Sequence, residues 1–146
     1  MYEVALLSHS LLRWLAIILP LYIFFRSAVA WFQKSAPHTS DALAVKINLI
    51  VYDIQLVIGF ILYGVLSPIT KIAFADFKAA MKTPDLRFFA VEHVTIMIIA
   101  VVLAHLLSLL PNRKQGKQKS FLTMILSLIL LVIVIVGTPW ARVTAG

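Results

Sequence analysis

The chain has 146 residues, 62% of them hydrophobic and 13% charged, with a net charge of +7 and no cysteine. Such a composition excludes an ordinary soluble domain, and the missing thiols exclude disulfides, thiolate metal clusters, thioether-linked haem and cysteine catalysis. The basic residues sit in short stretches between apolar segments, where topology and anionic lipid account for them without nucleic acid.

Crossing the hydrocarbon takes about 20 apolar residues per helix, and four stretches meet that requirement. The first runs from Leu6 to Phe32, contains His9, Arg13 and Arg26, and is expected to kink at Pro20. The second, Ile47 to Leu66, stops before Ser67-Pro68 because proline disfavours helix in the residue preceding it. The connection from Ser67 to Arg87 places Ile72, Phe74, Phe77, Ala80 and Met81 at roughly helical spacing, predicting a short amphipathic helix at the membrane interface. The third span, Phe88 to Leu110, is halted by Pro111; the uncharged fourth, Phe121 to Val136, leads into Gly137-Thr138-Pro139-Trp140. The expected fold is therefore all-α: residues 1–146 form a single integral membrane domain, an up-and-down four-helix bundle with the lipid bilayer as its solvent.

One end of this bundle collects Lys34, Lys46, Arg113, Lys114, Lys117 and Lys119 against Asp41, with Arg26 snorkelling toward them. The other carries Lys71, Lys78, Lys82, Arg87 and Arg142. The richer end is the expected cytoplasmic one, which puts both termini outside. Ser27-Ala28-Val29-Ala30 resembles a signal cleavage site, but Met1-Tyr2-Glu3 lacks a basic n-region, so this first segment is expected to be retained as a span.

Ionisable groups inside spans are costly and mark functional sites by default. His9 and His93 each lie in the first turns of a span, in helices that run the same way, so they share a depth near the outer end. In a square bundle those helices are diagonal, and both imidazoles can point to the centre, an arrangement suited to bis-histidine ligation of a haem iron. Gly59, Gly64, Gly137 and Thr138 lie at that end and leave room for a macrocycle, although close helix packing uses small residues in the same way. Arg13, one turn from His9, is placed to neutralise Glu92 or a haem propionate, and Arg87 lies nearer a propionate at the interface. Met97, one turn beyond His93, either borders the cofactor or packs in the core. His105 follows His93 by twelve residues, about 18 Å along an ideal helix, so one haem cannot use both. With Asp53, and with Glu92 as a further carboxylate, His105 forms a candidate second polar site that orients protons, contacts a quinone or completes an interior hydrogen-bond network. Trp14 and Trp31 are read as packing residues and His38 as a loop histidine. No nucleophile, base and orienting group share a depth, and no zinc-protease spacing occurs, which disfavours a hydrolase.

The runs His9-Ser10-Leu11-Leu12-Arg13-Trp14, Gln55-Leu56-Val57-Ile58-Gly59-Phe60-Ile61-Leu62-Tyr63 and Arg87-Phe88-Phe89-Ala90-Val91-Glu92-His93, with Pro139-Trp140, resemble the small four-helix membrane proteins of Bacteroidota labelled cytochrome b-like. The resemblance spans all four helices and implies haem b held by His9 and His93, electron transfer, and a bacterial inner membrane. It departs from the large respiratory cytochrome b pattern, with two histidine pairs on two helices, which argues against a two-haem quinol enzyme. The expected function is electron transfer with the quinone pool or a respiratory partner. Two alternatives stand beside it: a cofactor-free accessory or structural subunit of a membrane complex or homo-oligomer, whose polar residues specify helix packing, and, third, a proton or metal transporter.

Overall fold

A computed structural model describes residues 1–35 and 39–140; His38 and Arg142 lie outside them. The described chain is all-α, with no strand. Its elements are α1 (Tyr2–Gln33), α2 (Thr39–Ile61), the short helices α3 (Pro68–Ala75), α4 (Phe77–Ala80) and α5 (Pro84–Arg87), then α6 (His93–Leu109) and α7 (Gly116–Gly137). Four segments, Tyr2–Gln33, Asp41–Leu66, Pro84–Arg113 and Gly116–Gly137, are long and apolar enough to cross a membrane. The chain is built as a multi-pass membrane protein.

Each long helix packs mainly on two others, in the order α1, α2, α6, α7 and back to α1, so that α1 and α6 are diagonal. The core is narrow and built largely from small residues: Ala16, Ala44, Ala100 and Ala104 are buried with Leu107, Leu130 and Val134. Helices in lipid gain little from hiding apolar surface, and small residues allow the close backbone approach that dispersion requires. Large side chains such as Leu11, Phe25, Val57 and Val136 point outward instead.

Pro20 lies inside α1, which continues through it from Tyr2 to Gln33. Proline has no N–H, so the carbonyl four residues back, that of Ala16, loses its intrahelical donor. Tyr52 of α2 supplies the replacement, its hydroxyl donating to the Ala16 carbonyl oxygen at 2.8 Å from a buried position. Further along the same antiparallel pair, Arg26 and Asp41 form an ion pair at 2.8 Å, so Arg26 is held by a carboxylate rather than only snorkelling outward.

The end opposite that ion pair is irregular. Residues Leu62–Leu66 and Phe88–Glu92 are π-turns, closed by Ser67 N–H to the Leu62 carbonyl and His93 N–H to the Phe88 carbonyl, each five residues back. They are tied together: Tyr63 Oη donates to the Ala90 carbonyl at 2.7 Å, while Thr70 Oγ1 donates to the Tyr63 carbonyl at 2.8 Å. Instead of one amphipathic helix, the connection forms three short ones, because Asp76 breaks the run and caps α4 through Ala79 N–H at 2.9 Å, and Pro84 starts α5. Ala73, Ala80 and Ala90 pack beneath it, and Ile72, Phe74 and Phe77 face outward.

Replacing Tyr52 with Phe strands the Ala16 carbonyl and is expected to lower stability by about 1–2 kcal/mol. Adding Pro20→Ala restores an amide donor at residue 20 and recovers most of that loss. Unfolding by titration with denaturing detergent measures both, and equal deficits with and without Pro20→Ala would remove the proposed exchange of donors.

Candidate functional site

Four helices converge on a cavity of about 340 Å³ beside the π-turns. α1 contributes His9 and Arg13, α2 contributes Tyr52, Gln55 and Gly59, and α6 contributes His93 and Met97; Thr138, just past α7, completes the wall. His9 and His93 face one another from diagonal helices, with ring centroids 6.3 Å apart and ring planes inclined at 70°. The Phe88 and Phe89 rings flank His93 at 5.8 and 6.0 Å.

Backbone irregularity places His93. It follows the π-turn Phe88–Glu92 directly, and the extra residue of such a turn rotates everything beyond it relative to a continuous α-helix. Its Nδ1 donates to the Gly137 carbonyl at 2.8 Å, a carbonyl at the end of α7, where backbone acceptors lack helical partners. Because a carbonyl can only accept, the proton sits on Nδ1 and the Nε2 lone pair is available. His9 is placed by α2. Gln55 Nε2 donates to the His9 backbone carbonyl at 3.0 Å, and a Cβ on Gly59 would approach His9 Cε1 to 3.3 Å, so only glycine leaves the ring its present room. Neither Nε2 has a hydrogen-bond partner among the described residues.

Three buried polar atoms around this cavity have no partner among the described residues: His9 Nδ1, Arg13 Nε and Gln55 Oε1. Each dry, unsatisfied group costs about 1–3 kcal/mol, and in a native site such a cluster calls for a ligand, ion or water. The described residues contain no group of three or more His, Asp or Glu able to hold a metal.

The other candidates fall elsewhere. Arg87 is bound to Glu92, Nε to Oε1 at 2.7 Å, at half-exposed positions outside the cavity lining; the π-turn brings residues five apart onto one face. Glu92 is therefore neutralised by Arg87, not Arg13, and does not join Asp53 and His105. Gly64, in the other π-turn, has open space where a side chain would go and does not line the cavity. Asp53 and His105 approach one another, with Oδ1 and Nε2 at 3.7 Å, but on the outer surface of the α2–α6 seam. Trp14 packs on Trp140, and Trp31 on Phe121 with Lys117 over its ring. A second cavity, about 430 Å³, lies at the opposite end, where Arg26 is engaged by Asp41 and Lys119 by Asn112.

From the sequence, Tyr52 is expected at the depth of the Asp53–His105 site and Gln55 on the Gly59 face, and nothing there points to the Ala16 or His9 carbonyl as their partners or to the Gly137 carbonyl as that of His93. Pro20 was the available signal for Tyr52, since it announces a carbonyl in need of a donor without saying which neighbour provides it. Compared with family models, curated proteins and solved structures, the chain matches none.

Gly59→Leu should overpack the His9 ring and cost about 1–3 kcal/mol, whereas Gly64→Leu should stay within about 0.5 kcal/mol of the parent. Denaturing-detergent titrations of the two variants make the comparison. Similar losses at both positions would contradict the cradle assigned to Gly59.

Proposed function

We propose that this chain is a b-type haem protein of a bacterial inner membrane, in which His9 and His93 would hold the haem and electrons would be exchanged with the quinone pool or a respiratory partner. The observation that carries this reading is the pair of imidazoles opposed across a cavity whose buried polar atoms lack partners. The two rings, 6.3 Å apart by centroid, would be the residues to hold the haem iron, each through an imidazole nitrogen. Phe60 and Ile98 line the cavity at half-exposed positions.

When bound, haem supplies reversible one-electron chemistry whose potential is set by axial ligands, burial and hydrogen bonding. The chain's own contribution is orientation and electrostatics. The Gly137 carbonyl fixes the tautomer of His93 and increases the basicity of its free nitrogen. Arg13 offers a desolvated donor to an anionic substituent such as a propionate, a role left open because Glu92 occupies Arg87. Met97 and Thr138 border the same space and limit water. Resemblance to the cytochrome b-like proteins of Bacteroidota and the basic end formed by Lys46, Arg113 and Lys119 support the inner-membrane setting with periplasmic termini. A purely structural polar network accounts less well for the site, because such a network satisfies its buried members.

Visible spectra before and after dithionite, with a pyridine haemochrome assay, test this. Purified protein expressed with ample haem should show a reducible b-type spectrum. His9→Ala and His93→Ala should each abolish it, and His105→Ala should preserve it. Absence of haem from the parent, or equal haem content in all three variants, would overturn the proposal.

A further inference from the structure

The Asp53 and His105 side chains are 48% and 46% exposed on the outer surface of the α2–α6 seam. Asp53 lies twelve residues into the span Asp41–Leu66, and His105 lies eight residues before the end of Pro84–Arg113, so both are well inside the apolar zone. Around them the surface is aliphatic. Ile50 and Val57 flank Asp53 along one stripe of α2, and Val102 and Leu109 flank His105 along one stripe of α6, each of the four exposed by more than 40%. An acid and an imidazole facing hydrocarbon at that depth are strongly disfavoured; in membrane proteins such groups are covered by protein or line a polar cavity.

Their hydrogen-bonding capacity is also unspent. His105 Nδ1 donates to the Val101 carbonyl of its own helix at 3.0 Å, which leaves Nε2. Nε2 stands 3.7 Å from Asp53 Oδ1, beyond the distance of a made hydrogen bond. Asp53 has no shorter partner among the described residues.

We propose that this patch is the contact between two copies of the chain, related by a twofold axis along the membrane normal. Rotation about that axis preserves depth. Since Asp53 and His105 sit side by side at one depth within a copy, the rotation sets the Asp53 of one copy at the height of the His105 of the other, and the patch is complementary to itself as an isologous interface demands. The axis also keeps both copies in the same membrane orientation, which their shared charge asymmetry requires. The Ile50–Val57 stripe of one copy then packs against the Val102–Leu109 stripe of the other, and the polar pairs leave the lipid. The inference does not depend on haem.

The absence of native cysteine makes disulfide trapping direct. In isolated membranes, differently tagged Val57→Cys and Val102→Cys copies, co-expressed and oxidised, should form a covalent pair carrying both tags, and Val57→Cys with Val132→Cys, on the exposed face of α7, should not. Asp53→His and His105→Asp alone should each weaken dimerisation about tenfold, read by two-colour single-molecule photobleaching in nanodiscs. Combining them exchanges the groups at one depth and should restore the parent affinity. A monomer at all protein-to-lipid ratios, crosslinking of Val57→Cys to Val132→Cys equal to that to Val102→Cys, or trapping of a different polypeptide through Val102→Cys would overturn the proposal. Loss of haem without change in crosslinking would implicate the histidine cavity and leave this interface intact.

Discussion

The bond from Tyr52 to the Ala16 carbonyl organises this bundle, because it reconciles a proline in mid-span with a solvent that forgives no open backbone acceptor. In hydrocarbon each unsatisfied polar group costs several kcal/mol by general estimate, so α1 can retain Pro20 only where a neighbour delivers a donor to one place. That requirement fixes how far α2 slides against α1. Seven residues onward in α2 and seven back in α1, about 10 Å along the axis, Gly59 meets His9. Toward the other end, the same alignment brings Asp41 to Arg26. One hydroxyl thus sets the register that gives His9 its room.

The second antiparallel pair is aligned by polar contacts as well. His93 reaches the Gly137 carbonyl at one end of α6 and α7, and Asn112 accepts from Lys119 at the other. Each contact uses a group that a helix terminus or span boundary leaves open. Gly137 admits close approach by Ile96 and Met97, whose side-chain atoms occupy the space that a Cβ would take. The carbonyl that positions His93 is available because the helix beneath it packs that closely. Together the two registers bring diagonal imidazoles to one level, although α1 and α6 are not principal packing partners.

The π-turns and the outer seam show how the same constraint produces opposite outcomes. At the cavity end, displaced carbonyls find donors across the structure, as Tyr63 does for Ala90, and this mutual satisfaction stabilises a locally irregular backbone. The irregularity in turn pairs Arg87 with Glu92 and leaves Arg13 unpaired at Nε within the cavity. At the α2–α6 seam, Asp53 and His105 instead face away from all four helices. Polar side-chain atoms thus stand without a hydrogen-bond partner among the described residues both inside the bundle, on His9, Arg13 and Gln55, and on its outer face, on Asp53.

The sequence by itself determined the all-α class, the four apolar spans and the common depth of His9 and His93. These are one-dimensional properties: apolar run length sets the number of crossings, and depth follows from the rise per residue. Gly59 and Gly64, Asp53 and His105, and Glu92 are different, because their roles depend on the direction each side chain faces around its helix. Direction was decided by the tertiary structure. The π-turns reset the helical phase before His93 and around Gly64, with no motif to announce them, and helix packing turned Gly59 inward and Asp53 outward. Pro20 made a missing donor legible, but Tyr52 became its partner only when two helices separated in sequence were set side by side, since a hydrogen bond between helices depends on distance in space and not along the chain.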